Sequence, residues 1–216
     1  MYSWLFVCGL VILPGLASAK LTRRMAILMG FGLIVLARAI VGIKCEVIDV
    51  VPGRGGKIPP RCIIAAKHMS ILEIAVLMTR FQNAFFIIKK ELSYAPAYGW
   101  AFRRMGFVPV DRRRGATNMA DLTARVSAQI EKGRTLVIFP EGTRKKPGDG
   151  VKLKGGLFHI AAALRLPIQP VGTNTGLFWP KRGRMRGGVA KIWLEEPLPH
   201  DAPVADVAAA IGRHSV

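Results

Sequence analysis

The stretch Cys62-Ile63-Ile64-Ala65-Ala66-Lys67-His68-Met69-Ser70-Ile71-Leu72-Glu73, running on to Phe81, decides the fold class. Residues 62–66 are a compact apolar run bounded by charge, which reads as a strand, and residues 71–81 repeat their apolar positions at helical spacing. The same alternation recurs on both sides. Residues 45–50 alternate, runs at 85–88, 107–110, 135–139, 168–172 and 189–194 are apolar or β-branched, and helical patterns occupy 98–105, 117–131, 156–164 and 204–212. Strands alternating with helices predict an α/β domain over 44–216, a mostly parallel central sheet flanked by helices. The Gly- and Pro-rich segment 52–60 marks a turn rather than a domain boundary.

The 216 residues hold 32 Lys and Arg against 13 Asp and Glu, a formal charge of +19, yet 51% of them are hydrophobic. Disordered chains pair high charge with low hydrophobicity, so disorder is excluded. A basic, apolar chain has two natural anionic partners, nucleic acid and a phospholipid surface. The basic clusters at 103–114, 144–154 and 181–186 are not interleaved with stacking aromatics, which argues against nucleic acid. Cys8, Cys45 and Cys62 are odd in number with no CxxC spacing, so they read as small hydrophobes and imply neither a metal site nor a disulfide framework.

Charge is distributed unevenly. Residues 1–19 carry none, and after Lys20, Arg23 and Arg24 a second apolar run, 25–43, is broken only by Arg38. Each run approaches the roughly 20 residues that cross a hydrocarbon core. Ala17-Ser18-Ala19 resembles a signal-peptidase site, but no Lys or Arg precedes it to form a positive n-region. If both runs spanned a bilayer, the basic link at 20–24 would lie opposite the +16 that follows residue 50, against the positive-inside bias. Residues 1–43 are therefore expected to form an N-terminal two-helix membrane-binding hairpin that dips into one leaflet, or a single span followed by an interfacial helix. The remainder is expected on the cytoplasmic face of the inner membrane.

Two constellations sit at the carboxyl ends of expected strands, where open α/β sheets place their ligand sites. In the first, His68 follows a strand and Glu73 lies five residues on. Positions five apart diverge by about 140° on a helix, so a contact requires His68 in the turn and Glu73 in the first helical turn, with Ser70 as the expected N-cap. The second is Phe139-Pro140-Glu141-Gly142-Thr143-Arg144, a turn whose backbone N–H groups and guanidinium suit a phosphate. A weaker third, Gly106 to Arg112, sends another arginine to the same region. No GxSxG elbow is present, and Gly53-Arg54-Gly55-Gly56-Lys57 lacks the P-loop spacing.

With these residues the chain resembles the 1-acylglycerol-3-phosphate acyltransferases, the lysophosphatidic acid acyltransferase family. Its first motif, a His followed after four residues by an acidic residue, usually Asp, is held here by His68 and Glu73. The second matches Gly106–Arg112, the third is intact at 139–144, and the fourth matches Leu166-Pro167-Ile168-Gln169-Pro170-Val171. The resemblance implies acyl transfer from an acyl thioester, on CoA or acyl carrier protein, to the sn-2 hydroxyl of lysophosphatidic acid, with no bound cofactor. His68 would be the base and Glu73 its orienting partner. Arg112, Glu141, Gly142, Thr143 and Arg144 would form the phosphate end, with Glu141 holding the arginines. Lys67 and Lys154 are secondary candidates, and the backbone near Pro167 is a candidate oxyanion donor. The partners would be lysophosphatidic acid, the acyl thioester or its carrier protein, and an anionic phospholipid membrane, with no nucleic acid. The alternatives are an acyltransferase for another lyso-lipid, such as a lyso-ornithine lipid, and a non-catalytic basic membrane-binding module.

Overall fold

A computed structural model describes residues 18–111 and 119–214. Seven strands form one sheet: β1 (Ile43–Asp49), β2 (Ile63–Ala66), β3 (Ala84–Lys89), β4 (Val108–Val110), β5 (Thr135–Ile138), β6 (Ile168–Thr173) and β7 (Gly188–Leu194), in the order β1-β7-β6-β2-β5-β3-β4. Strands β6, β2, β5, β3 and β4 run parallel, while β7 pairs antiparallel with β6 and parallel with β1. The central strands β2 and β6 are buried along their whole length, as strands covered on both faces must be.

Alternation along β2 feeds two cores. Ile63 and Ala65 join Leu122, Val126, Leu157, Ile160 and Val207, which come from α4 (Met119–Ile130), α5 (Gly156–Leu164) and α7 (Val204–Gly212). Cys62, Ile64 and Ala66 face the other way, onto Val76 and Leu77 of α2 (Leu72–Arg80). Burial pushes the Cys62 thiol up to about 12 and the Cys45 thiol to about 11, so both stay protonated at neutral pH. Two short helices, α3 (Tyr98–Arg104) and α6 (Thr175–Phe178), and a 3-10 turn at Lys90–Tyr94 are also described. The sequence signalled the first of these but not the second.

The N-terminal region differs from expectation. The run 1–17 lies outside the described residues, so the first arm of the expected hairpin lies there too. What is described is one continuous helix, α1 (Ala19–Leu36), extended by a π-helical turn at Ala37–Val41. The basic link at 20–24 is not a link but the opening of α1, and Arg23 explains why. Its guanidinium donates to the Gln82 and Met105 carbonyls, both at 3.1 Å, which pins the helix start to the domain. Farther along, Gly30 lets α1 cross α2 closely, since a Cβ there would lie 3.2 Å from Met78 Cε and Thr79 Cγ2. Ile34 and Ala37 then pack with Leu72 and Ile43. The helix is therefore fastened to the α/β domain near both ends.

Candidate active site

Strands β2 and β5 are parallel neighbours, with Ala65 beside Ile138. The turns after them carry the two sequence constellations, and the pairing forces them together. His68 N–H donates to Glu141 Oε2 at 3.1 Å, and the Lys145 N–H donates to the His68 carbonyl at 2.7 Å. The two turns thus clasp each other through both backbone groups of His68.

His68 occupies the turn and Glu73 the first turn of α2, as their spacing requires. Glu73 is 1% exposed and its carboxylate is saturated with donors. Oε1 accepts from His68 Nδ1 at 2.9 Å and from the Met69 and Ser70 N–H groups at 2.8 Å each. Oε2 accepts from Ser70 N–H at 3.0 Å and from the Thr175 hydroxyl at 2.7 Å. A carboxylate only accepts, so Nδ1 carries the proton and the Nε2 lone pair is left for a substrate. The imidazole stacks on Phe139, with ring centroids 4.2 Å apart, and its side chain is part-exposed. The Ser70 hydroxyl accepts from Leu72 N–H at 3.2 Å, but the N-cap position falls to Ile71, one residue after the expected Ser70.

Glu141 is buried, with Oε1 left without a hydrogen-bond partner. Burial pushes its carboxyl up, against the pull of the His68 N–H and of the Lys67 and Lys145 cations. The expectation that Glu141 holds the arginines is corrected for Arg144: its described bond goes to the His68 backbone, and Arg144 forms no ion pair among the described residues. Gly142 takes φ +70°, a conformation that favours glycine, and Lys154 lies over it, since a Cβ there would sit 3.0 Å from Lys154 Cε and Nζ. Thr143 is exposed on the turn and Arg144 is half-buried beside it.

Other expected positions fare differently. Arg112 lies outside the described residues. Lys67 is buried and donates from Nζ to the Asp149 carbonyl at 3.1 Å, bracing the following loop instead of meeting a substrate; burial lowers its pKa against the pull of Glu141 and Asp149. Pro167 is corrected outright. It precedes β6, and its carbonyl accepts from Ile63 N–H at 2.9 Å, at the amino end of β2. His68 lies two residues past the other end of that strand, and β2 itself spans about 10 Å from Ile63 to Ala66 at roughly 3.3 Å per residue. The Pro167 backbone therefore cannot serve the same carbonyl as His68.

Sequence reasoning missed Thr175 and the role of Phe139. Phe139 was in view as part of a motif, and its position directly after β5 was the available signal. Thr175 follows β6 at the same edge of the sheet, but hydroxyl residues at strand ends are too common to single one out.

A histidine with a free Nε2, oriented by a buried carboxylate and set beside a cationic turn, is equipped to deprotonate a hydroxyl on an anionic molecule. Residues 50–174 match the Acyltransferase family, and the chain belongs to that family. Among its relatives is the 1-acyl-sn-glycerol-3-phosphate acyltransferase of Pseudomonas aeruginosa, 34% identical over 150 residues, covering 68% of this chain and 56% of that protein. The beta form of the same enzyme from Homo sapiens is 28% identical over 174 residues, 79% of this chain and 62% of that protein. This chain thus spans about half the length of the curated relatives it matches. The crystal structure of the 1-acyl-sn-glycerophosphate acyltransferase PlsC from Thermotoga maritima shares the fold, with a TM-score of 0.68 at 21% identity over 90% of this chain and 78% of that one.

Proposed function

We propose that this protein moves a fatty acyl group from an acyl thioester to the sn-2 hydroxyl of 1-acylglycerol-3-phosphate, giving phosphatidic acid. The observation that carries this reading is the His68–Glu73 pair beside the Glu141–Arg144 turn. His68 Nε2 takes the hydroxyl proton as the oxygen attacks the thioester carbonyl. The tetrahedral species then expels the thiolate of CoA or of an acyl carrier protein, which recovers the proton from the imidazolium. No protein nucleophile is needed. Arg144 and Lys154 receive the phosphate, joined by Arg112, while Glu141 keeps the His68 backbone in place.

The test is a set of lyso-acceptors offered with one acyl thioester. Lysophosphatidate should outpace lyso-ornithine lipid by about 10–100-fold in kcat/KM, the scale of one charge-assisted phosphate contact. Equal rates would reject the phosphate acceptor.

The same reading places the protein on the cytoplasmic face of a membrane, with α1 lying in one leaflet. Helix and π-turn together, Ala19–Val41, are long and apolar enough to cross a bilayer. Their attachment to the domain near both ends favours lying along it, with Leu28 67%, Phe31 60% and Ile40 76% exposed toward lipid. The Leu28→Glu/Phe31→Glu pair should weaken binding to anionic vesicles by about tenfold or more, from the apolar area lost. Unchanged sedimentation with vesicles would remove α1 from the interface.

A further inference from the structure

We infer that Thr175, one residue past the region matched to the family, is a positioning residue for His68, acting through Glu73; this deepens the acyl-transfer reading and rests on it. Glu73 ends in a carboxylate behind three rotatable bonds, so its plane is set only by the partners of its oxygens. Three of the four donors, His68 Nδ1 and the Met69 and Ser70 N–H groups, belong to the turn that also carries the base. Those bonds hold Glu73 to the turn, whose His68 backbone is clasped by Glu141 and Lys145, but none of them fixes the carboxylate plane against the rest of the fold.

Thr175 supplies that outside reference. It is fully buried, and its hydroxyl reaches Glu73 Oε2 at 2.7 Å across 102 residues of sequence. Its own backbone is held in turn. The Thr175 N–H donates to Thr173 Oγ1 at 3.1 Å, and the Thr173 hydroxyl donates to the Lys191 carbonyl of β7 at 3.0 Å. The neighbouring Gly176 lets α6 press against the His68 turn, since a Cβ there would meet Met69 Cβ at 2.9 Å. A continuous line therefore runs from the β7 backbone through Thr173, Thr175 and Glu73 to the imidazole. Removing the hydroxyl leaves Oε2 with the Ser70 N–H alone and frees the carboxylate to turn away from Nδ1.

The experiment compares Thr175→Val, which keeps the shape and loses the donor, with Thr175→Ser, which keeps the donor. In turnover of lysophosphatidate, Thr175→Val should lower kcat about tenfold with KM for either substrate within about twofold, the scale of one hydrogen bond to a charged group in a buried network. Thr175→Ser should restore most of the loss. In a Glu73→Gln background Thr175→Val should add almost nothing, because its effect passes through the carboxylate. Equal loss for Val and Ser, or full additivity with Glu73→Gln, would overturn the inference and make Thr175 a packing residue.

One readout does not depend on the acceptor. The His68 Nδ1 proton, followed by NMR, should move its resonance and exchange faster with solvent in Thr175→Val, as its bond to Glu73 loosens, and keep the signal of the unaltered protein in Thr175→Ser. An unmoved signal in Thr175→Val overturns the positioning role. A moved signal in a protein that leaves lysophosphatidate untouched keeps that role and rejects the acceptor.

Discussion

Replacing His68 with alanine should lower kcat for acyl transfer by about 10²–10⁴, the span of a single positioned base, with only a small loss of thermal stability. Turnover close to that of the unaltered protein would remove His68 from the chemistry. The stability expectation follows from where the side chain sits. It is part-exposed, and besides its stack on Phe139 it gives up one bond to Glu73, whose carboxylate keeps the Met69, Ser70 and Thr175 donors, so its loss should cost about 1–2 kcal/mol. Its backbone N–H and carbonyl, which clasp Glu141 and Lys145, survive the substitution. Removing Glu73 is a poorer test of the same chemistry. Its carboxylate is the acceptor for the buried Met69 and Ser70 N–H groups, and leaving them unpaired costs about 1–3 kcal/mol each. Lost activity in Glu73→Ala would mix chemistry with a collapsed turn.

Arg144→Ala should raise the apparent KM for lysophosphatidate about 10–100-fold while leaving KM for the acyl thioester nearly unchanged. Arg144 is half-buried and forms no ion pair among the described residues, so no folded-state partner is stranded by its removal. Steady-state kinetics with each substrate varied in turn is the measurement, and equal rises in both constants would count against a phosphate role. Arg144→Lys should recover only part of the loss, because an ammonium keeps the charge without the planar two-donor fork.

The outline of the fold was legible because β1 alternates in sequence and the central strands β2 and β6 are buried along their whole length. Fully buried strands write themselves as contiguous apolar runs, and the seven segments read from sequence correspond to the seven strands with ends shifted by up to two residues. Strand order was not legible. Nothing in 168–172 or 189–194 announces that β7 turns antiparallel to β6, since pairing direction depends on the path of the connection.

The dyad was legible because its parts lie within six residues, and a spacing of five restricts how His and Glu can meet. Contacts made across the sheet were hidden. Glu141 looked like an arginine partner because its charge suggested one, whereas its position beside β2 gave it the His68 N–H. Lys67 looked like a ligand for an anion because lysines are seldom buried, yet its amine braces a loop carbonyl. The basic opening of α1 looked like a link because three charges interrupt an apolar run, and only the distant Gln82 and Met105 carbonyls explain Arg23.

The rung that pairs Ala65 with Ile138 sets a shared phase for the chemistry. His68 and Glu141 each stand three residues beyond it, so they arrive at the same height above the sheet by counting from one common origin. Length changes should therefore be tolerated very unequally along this chain. The segment between β1 and β2 can absorb added residues as surface loop, because it carries no part of the count. A single residue gained or lost between Ala65 and His68, or between Ile138 and Glu141, would put the two turns out of step and part the base from its clasp, even with every side chain of the site still present in the sequence.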